Sequence, residues 1–150
     1  LSGNAKVLGD IENLTLTGTT AINGTGNAFA NVITGNSGNN TLSGLGGDDS
    51  INGGAGIDMI NGGLGDDTLT GGTGNDKFHF DSADFGTDVV TDFVDGQDKL
   101  SFLRTFADNI NDFVITGNGT TTVVVAFNDE SVTLHGLAPI TITATDLLFV

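Results

Sequence analysis

Aspartate recurs on a fixed nine-residue spacing through the first half of this 150-residue chain: Asp49, Asp58, Asp67 and Asp76, with Asn40 one period earlier. No Lys or Arg lies between Lys6 and Lys77, an interval that includes Asp10, Glu12, Asp48 and Asp66 as well. Carboxylates with no protein cation to pair with are ordinarily a solvated acidic surface. Here they stand at a constant interval beside glycine turns, and that arrangement suits coordination of a divalent cation. Carboxylates alone supply few of the oxygens a hard divalent cation takes, so backbone carbonyls of the glycine turns must supply the rest.

Other chemistries lack their residues. His79 and His135 are the only histidines, neither in an H-E-x-x-H motif, and there is no cysteine. No G-x-S-x-G elbow occurs, and no G-K-[ST] follows the glycine turns, whose neighbours are acidic. The chain therefore reads as non-enzymatic, and a catalytic domain of the parent protein would lie upstream. A formal charge of −15 argues against nucleic acid and anionic membranes as partners. No apolar run approaches the ~20 residues of a membrane span, and no basic-then-apolar leader opens the chain. The start at Leu1 rather than Met fits a C-terminal piece of a longer protein.

The elements that must position the aspartates are written in the same period. From Gly35 to His79 the chain reads GNSGNNTLS, GLGGDDSIN, GGAGIDMIN, GGLGDDTLT, GGTGNDKFH, with a poorer copy, GNAFANVIT, at residues 26–34. Glycine opens each unit and, in the five from Gly35, returns at the fourth place; the eighth place is Ile33, Leu42, Ile51, Ile60, Leu69 or Phe78. Six residues of glycine and Asx make a turn, and three around one apolar side chain make a short strand. One inward side chain per strand cannot form a core alone, but stacked copies can, which is the logic of a solenoid.

The repeat G-G-x-G-x-D-x-U-x resembles the calcium-binding nonapeptide of RTX (repeats-in-toxin) proteins. The units at Gly53, Gly62 and Gly71 match every defined position, and the unit at Gly44 departs only at Leu45. The resemblance implies an all-β fold, a parallel β-roll (β-helix solenoid), with two nonapeptides per coil and turns alternating between two edges. Turns on one edge are then 18 residues apart, which pairs Asp49 with Asp67 and Asp58 with Asp76. It also implies calcium (Ca2+) between stacked turns, with carbonyls from the early turn positions: Gly47, Gly54, Gly56, Gly63, Gly65, Gly72 and Gly74. Asp48 and Asp66, in the fifth place, are expected to face solvent. Asn31 and Asn40 lack the charge for calcium and are expected to make turn hydrogen bonds.

Three regions follow: residues 1–34 as degenerate lead-in coils, 35–79 as the calcium-binding roll, and 80–150 as a capping β domain. In the first, Ile11, Leu14 and Leu16 suggest one short strand, and Ala21 and Ile22 with Gly24 and Gly26 another strand and turn. In the third, the pieces DVVTDF and GQDKLSF resemble the segment that follows the roll in serralysin-type RTX proteins. By that resemblance Asp88 and Asp98 complete a last calcium site on the exposed end of the array. Lys77 and Lys99 are expected to face solvent, and LRTFADNIND to hold a helical turn. The runs DFVIT, TTTVVVAF and SVTLHGL, split by Asn, Asp and Gly, read as an antiparallel meander with Val123, Val125 and Phe127 on one side.

The last residues, Asp146-Leu147-Leu148-Phe149-Val150, resemble the terminal motif of type I secretion substrates; read alone, they are a last strand of the cap. Together these features imply a calcium-dependent folding and secretion module of an extracellular, Gram-negative bacterial protein. Its partners are then the type I (ABC exporter) machinery and an upstream domain of the same chain. The competing expectation is a calcium-ordered structural segment of an adhesin or surface layer.

Overall fold

The computed structural model describes residues 12–104, 113–117 and 119–150, together with the backbone of the short strand Ala5–Lys6. The segment read as a helical turn falls largely on 105–112, outside the described residues, as does Ile11. Among the described residues there is no helix.

The nonapeptide period becomes alternating strands. The first strands are β1 (Ala5–Lys6), β2 (Asn13–Thr15), β3 (Gly24–Thr25) and β4 (Val32–Thr34). The array supplies β5 (Thr41–Gly46), β6 (Ser50–Ala55), β7 (Met59–Leu64), β8 (Thr68–Thr73) and β9 (Lys77–Phe80). Then follow β10 (Thr87–Val90), β11 (Lys99–Phe102), β12 (Val114–Thr116), β13 (Thr120–Phe127), β14 (Glu130–Ile140) and β15 (Leu147–Phe149). Within the roll, odd strands build one sheet and even strands the other. The orders are β1-β3-β5-β7-β9-β11-β15 and β12-β13-β14-β10-β8-β6-β4-β2. Pairing is parallel through the stack, with Leu42 opposite Ile60 and Ile51 opposite Leu69. This is the 18-residue register expected for two nonapeptides per coil.

The eighth-place side chains fill the space between the sheets. Ile33, Leu42, Ile51, Ile60, Leu69 and Phe78 are all buried. Burial of each contributes about 1.5–3 kcal/mol. Beyond Phe78 the core widens into stacked phenylalanines. Phe80 lies 5.0 Å from both Phe85 and Phe102, and Phe102 lies 4.6 Å from Phe113.

The coils do not end where the nine-residue text ends. ADFGTDVVT (83–91) and FVDGQDKLS (93–101) stack as two further units, so the solenoid runs beyond His79. Val90 and Leu100 take the eighth place in them, paired with Leu69 and Phe78. The inserted Phe80, Asp81, Ser82 and Asp92 break the spacing without breaking the stack.

The cap is the expected meander. β12 pairs antiparallel with β13, and β13 with β14. Val123 and Val125 are buried, and Phe127 packs against the same core. β14 then joins β10 in parallel, so the cap extends one sheet of the roll. The other sheet is finished by β15, in parallel with β11. The terminal motif is thus the last strand of a roll sheet.

Candidate metal centre

Each glycine turn carries the chain from one sheet to the other, so consecutive turns lie on opposite edges. The sixth-place side chains form a ladder along each edge. On one, the Asn31 N–H donates to Asp49 Oδ1 at 2.7 Å, Asp49 N–H to Asp67 Oδ1 at 2.8 Å, and Asp67 N–H to Asp88 Oδ1 at 2.9 Å. On the other, Asn40 N–H donates to Asp58 Oδ1 at 2.7 Å, Asp58 N–H to Asp76 Oδ1 and Asp76 N–H to Asp98 Oδ1, both at 2.9 Å. Parallel stacking makes this possible, because equivalent backbone groups fall one above another.

Each ladder uses one carboxylate oxygen and leaves the other. The Oδ2 atoms of Asp49, Asp58, Asp67, Asp76 and Asp88 are buried and without a hydrogen-bond partner. A buried polar atom with no partner is unusual in a folded protein and calls for a reason. Here the orphans sit in cradles. A methyl group on Gly53 would lie 2.5 Å from Asp58 Oδ2 and 2.6 Å from the Gly71 carbonyl oxygen of the next coil. On Gly44 it would crowd Asp49 Oδ2 and lie 2.5 Å from the Gly62 carbonyl. A glycine in the first place therefore keeps open a space where a carboxylate and a carbonyl from the next coil converge.

Burial pushes these carboxyls up. Asp49 rises to about 7, Asp58 and Asp67 to about 6 and Asp88 to about 8, with Asp76 and Asp98 raised as well. Desolvation is the largest cause and the ladder hydrogen bonds oppose it. Repulsion adds to it: Asp67 on Asp49, Asp76 on Asp58, and Asp66, Asp67 and Glu130 on Asp88. A divalent cation would relieve both causes. Among the described residues no three acidic or histidine side chains cluster closely enough to hold a metal by themselves. The donor set fits calcium only with backbone carbonyls included, as hard oxygen ligands would require.

The residues singled out in the sequence divide as follows. Asp49 and Asp67 share one edge, and Asp58 and Asp76 the other. The carbonyls of Gly47, Gly54, Gly56 and Gly65 face the next turn on their edge, against Gly65, Gly72, Gly74 and Gly86. Gly63, Gly72 and Gly74 lie in the same stacked turns, all with positive φ. Asp88 and Asp98 do not share a terminal site: each extends a different ladder, and β14 and β15 cover that end. The second oxygen of Asp98 is taken by the Val94 N–H at 2.8 Å. Asn31 and Asn40 make turn hydrogen bonds, accepting the N–H of Asn27 and Asn36. Asp48 and Asp66 are exposed, yet each has an Oδ1 that accepts from the next turn, from Asp66 N–H at 3.1 Å and Thr87 N–H at 2.8 Å. Lys99 is not free in solvent: its Nζ lies 3.0 Å from Asp146 Oδ1.

Two features were missed in the sequence. The first-place carbonyls of Gly62 and Gly71 approach the orphan oxygens, although nothing in the text separates them from the other glycines. Asp92, an inserted residue, accepts the Gly71 N–H at 2.9 Å and the Gly72 N–H at 2.8 Å.

Comparison with known proteins agrees with the geometry. Residues 25–60 and 52–90 match the family described as RTX calcium-binding nonapeptide repeat (4 copies). The AlgE6R3 subunit of the Azotobacter vinelandii mannuronan C5-epimerase shares the fold, with a TM-score of 0.60 and 22% identity over 95% of this chain and 86% of that one. The extracellular lipase LipA from Serratia marcescens aligns with a TM-score of 0.49 and 18% identity, over 90% of this chain and 41% of the lipase. No curated protein matches the sequence.

Proposed function

Because this chain carries RTX calcium-binding nonapeptide repeats, stacked as a β-roll, we propose that it is a calcium-dependent folding and secretion module of an extracellular bacterial protein. The observation that carries the reading is the set of five buried aspartate oxygens without partners, four of them in a stretch that has no Lys or Arg from residue 7 to residue 76. Asp49 with Asp67 and Asp58 with Asp76 hold the ions, and Asp88 adds a further carboxylate to the first edge. Carbonyls at the first, second and fourth places of the turns complete the shells, among them those of Gly47, Gly54, Gly56, Gly63, Gly65, Gly72 and Gly74.

Calcium supplies positive charge where the fold has buried negative charge. The chain's own residues do the rest. The aspartates accept the ladder N–H groups with one oxygen and offer the other. The first-place glycines leave room for ligands, and the eighth-place side chains close the core. Without the cation, one apolar side chain per nonapeptide does not offset about 1–2 kcal/mol of backbone entropy for each ordered residue. Folding and metal uptake are therefore coupled. Each ion present at ~100-fold above its dissociation constant adds about 2.7 kcal/mol if it binds only the folded form.

Extracellular calcium sites have constants of about 10⁻⁴–10⁻³ M, so a chain in a calcium-poor cytosol stays unfolded. The motif at 146–150 is then free to be read by a type I exporter of the Gram-negative kind. Outside, the same residues become β15, with Asp146 held by Lys99 and by Thr143, whose N–H and hydroxyl both bond its Oδ2. Any catalytic activity belongs to an upstream domain of the parent, for which the folded roll is a base.

A calcium titration from chelator-treated protein, followed by far-ultraviolet circular dichroism, tests the folding switch. A cooperative coil-to-strand transition is expected, displaced to higher calcium in Asp58→Ala and Asp67→Ala. A chain fully folded in chelator and indifferent to calcium would sink the switch and favour a plain structural segment of an adhesin or surface layer.

A further inference from the structure

The sixth-place side chains come in two states, and the second residue of the same turn separates them. In three turns the second residue's N–H closes the sixth-place side chain: Asn27 N–H to Asn31 Oδ1 at 2.8 Å, Asn36 N–H to Asn40 Oδ1 at 2.9 Å, and Val94 N–H to Asp98 Oδ2 at 2.8 Å. In the four turns opened by Gly44, Gly53, Gly62 and Gly71 the second residue is left-handed: Leu45 (φ 83°), Gly54 (102°), Gly63 (114°) and Gly72 (95°). Asn27, Asn36 and Val94 are not left-handed. Wherever the second residue is left-handed, the sixth-place Oδ2 of that turn is an orphan: Asp49, Asp58, Asp67 and Asp76. The freed amide points elsewhere, as at Gly72, whose N–H reaches Asp92 Oδ2. The turn at 83–88 gets the same result differently. There the Asp84 N–H is drawn off to Ser82 Oγ at 3.2 Å, and Asp88 Oδ2 is again unpartnered.

We infer that the direction of the second residue's N–H, set in four turns by a left-handed backbone, and not the sixth-place carboxylate alone, decides which turns of this chain hold calcium. A left-handed second residue turns its N–H away and leaves an acceptor for a cation. A right-handed or extended one spends that acceptor on its own amide unless, as at Asp84, the amide is drawn off to another group. Leu45 shows that the conformation, rather than glycine as such, is what the turn requires. The inference rests on the proposed calcium role and adds a rule to it. Asn40 is closed by its amide partner as well as uncharged, although the Gly53 carbonyl of the next coil already stands over its turn. Changing Asn40 to aspartate without reopening the turn leaves no new site.

The experiment is a gain of site in the full chain. Bound calcium per chain is measured by equilibrium dialysis and metal analysis for the wild type, Asn40→Asp, and the double variant Asn36→Gly with Asn40→Asp. Circular dichroism in calcium checks that each is folded. The double variant is expected to take up one more ion per chain than the wild type, and Asn40→Asp none. Because Asn36 also bonds the Thr17 and Thr20 carbonyls, the pair Asn27→Gly with Asn31→Asp repeats the test one turn earlier. A gain in either single aspartate variant equal to that of its double, or no gain in folded double variants, overturns the rule while leaving the calcium role intact. A wild type that takes up no calcium overturns both.

Discussion

The backbone N–H of Asp58 donates to Oδ1 of Asp76 at 2.9 Å, one coil further along. Two carboxylates that repel each other are thereby fixed in one stack, with the second oxygen of each left bare. The stack is stable only when something removes the charge, and a proton can do so as well as a cation.

This gives a pH dependence for the calcium-free protein. The folded-state pKa values of Asp49, Asp58, Asp67 and Asp88 lie at about 6 to 8, above the ordinary 3.8. A raised carboxyl stabilises the fold fully below the unfolded value, and that contribution is lost as pH rises through the folded one. In chelator, strand content is expected to be greatest below about pH 4 and to fall steadily from there as pH rises through about 6 to 8. Calcium uptake near neutrality should release protons, and its affinity should weaken on acidification. Circular dichroism across pH in chelator checks the first part; strand content that grew with pH would contradict it.

Glycines of the turns should differ sharply by place. A methyl group on Gly53 meets Asp58 Oδ2 and the Gly71 carbonyl, so Gly53→Ala is expected to destabilise the calcium-loaded roll by about 1–3 kcal/mol and raise the calcium midpoint. Gly46 has nothing nearer than 3.9 Å to such a methyl and is not left-handed. Gly46→Ala should be neutral or stabilise by up to about 1 kcal/mol. Urea unfolding in saturating calcium separates the two.

Leu45 holds φ at 83° with its side chain half in solvent, 47% exposed. A left-handed non-glycine residue costs on the order of 1 kcal/mol or more. Leu45→Gly is therefore expected to raise the urea midpoint in calcium, with unchanged ion stoichiometry. A lowered midpoint would mean that the leucine side chain contributes more than its backbone costs.

The last five residues serve two states. Removing 146–150 should abolish export, read as loss of the chain from the culture medium of a strain carrying the exporter. It should also loosen the C-terminal end of the folded protein, since Leu147 is buried and Phe149 packs 6.3 Å from Phe113. Asp146→Asn separates these roles in part. It weakens the Lys99 contact, and a bond to a charged group contributes roughly 1.5–3 kcal/mol. Hydrogen exchange at β11 and β15 reports that loss. A truncated chain exported normally would remove the signal reading.

Much of this was legible because the solenoid repeats its environment. An inward eighth place and a ladder-forming sixth place recur every nine residues, so Leu42 and Ile60, or Asp49 and Asp67, could be paired from the text. The coils at 83–91 and 93–101 were hidden because insertions break the spacing and Ala83 and Phe93 replace the opening glycine. Their markers survive in Gly86 with Asp88 and in Gly96 with Asp98. The Lys99–Asp146 contact spans 47 residues and belongs to no repeat, so no period announces it. The state of each Asp oxygen depends on whether a neighbouring amide is turned inward, which Leu45 conceals because its type gives no sign of positive φ.

The joining of β14 to β10 and of β15 to β11 gives the rod one finished end. Each coil presents its neighbour with a template of backbone donors and acceptors, and at the C-terminal end both templates are already satisfied within the chain. Order can then spread from that end as from a seed, each added coil gaining a preformed surface to settle on.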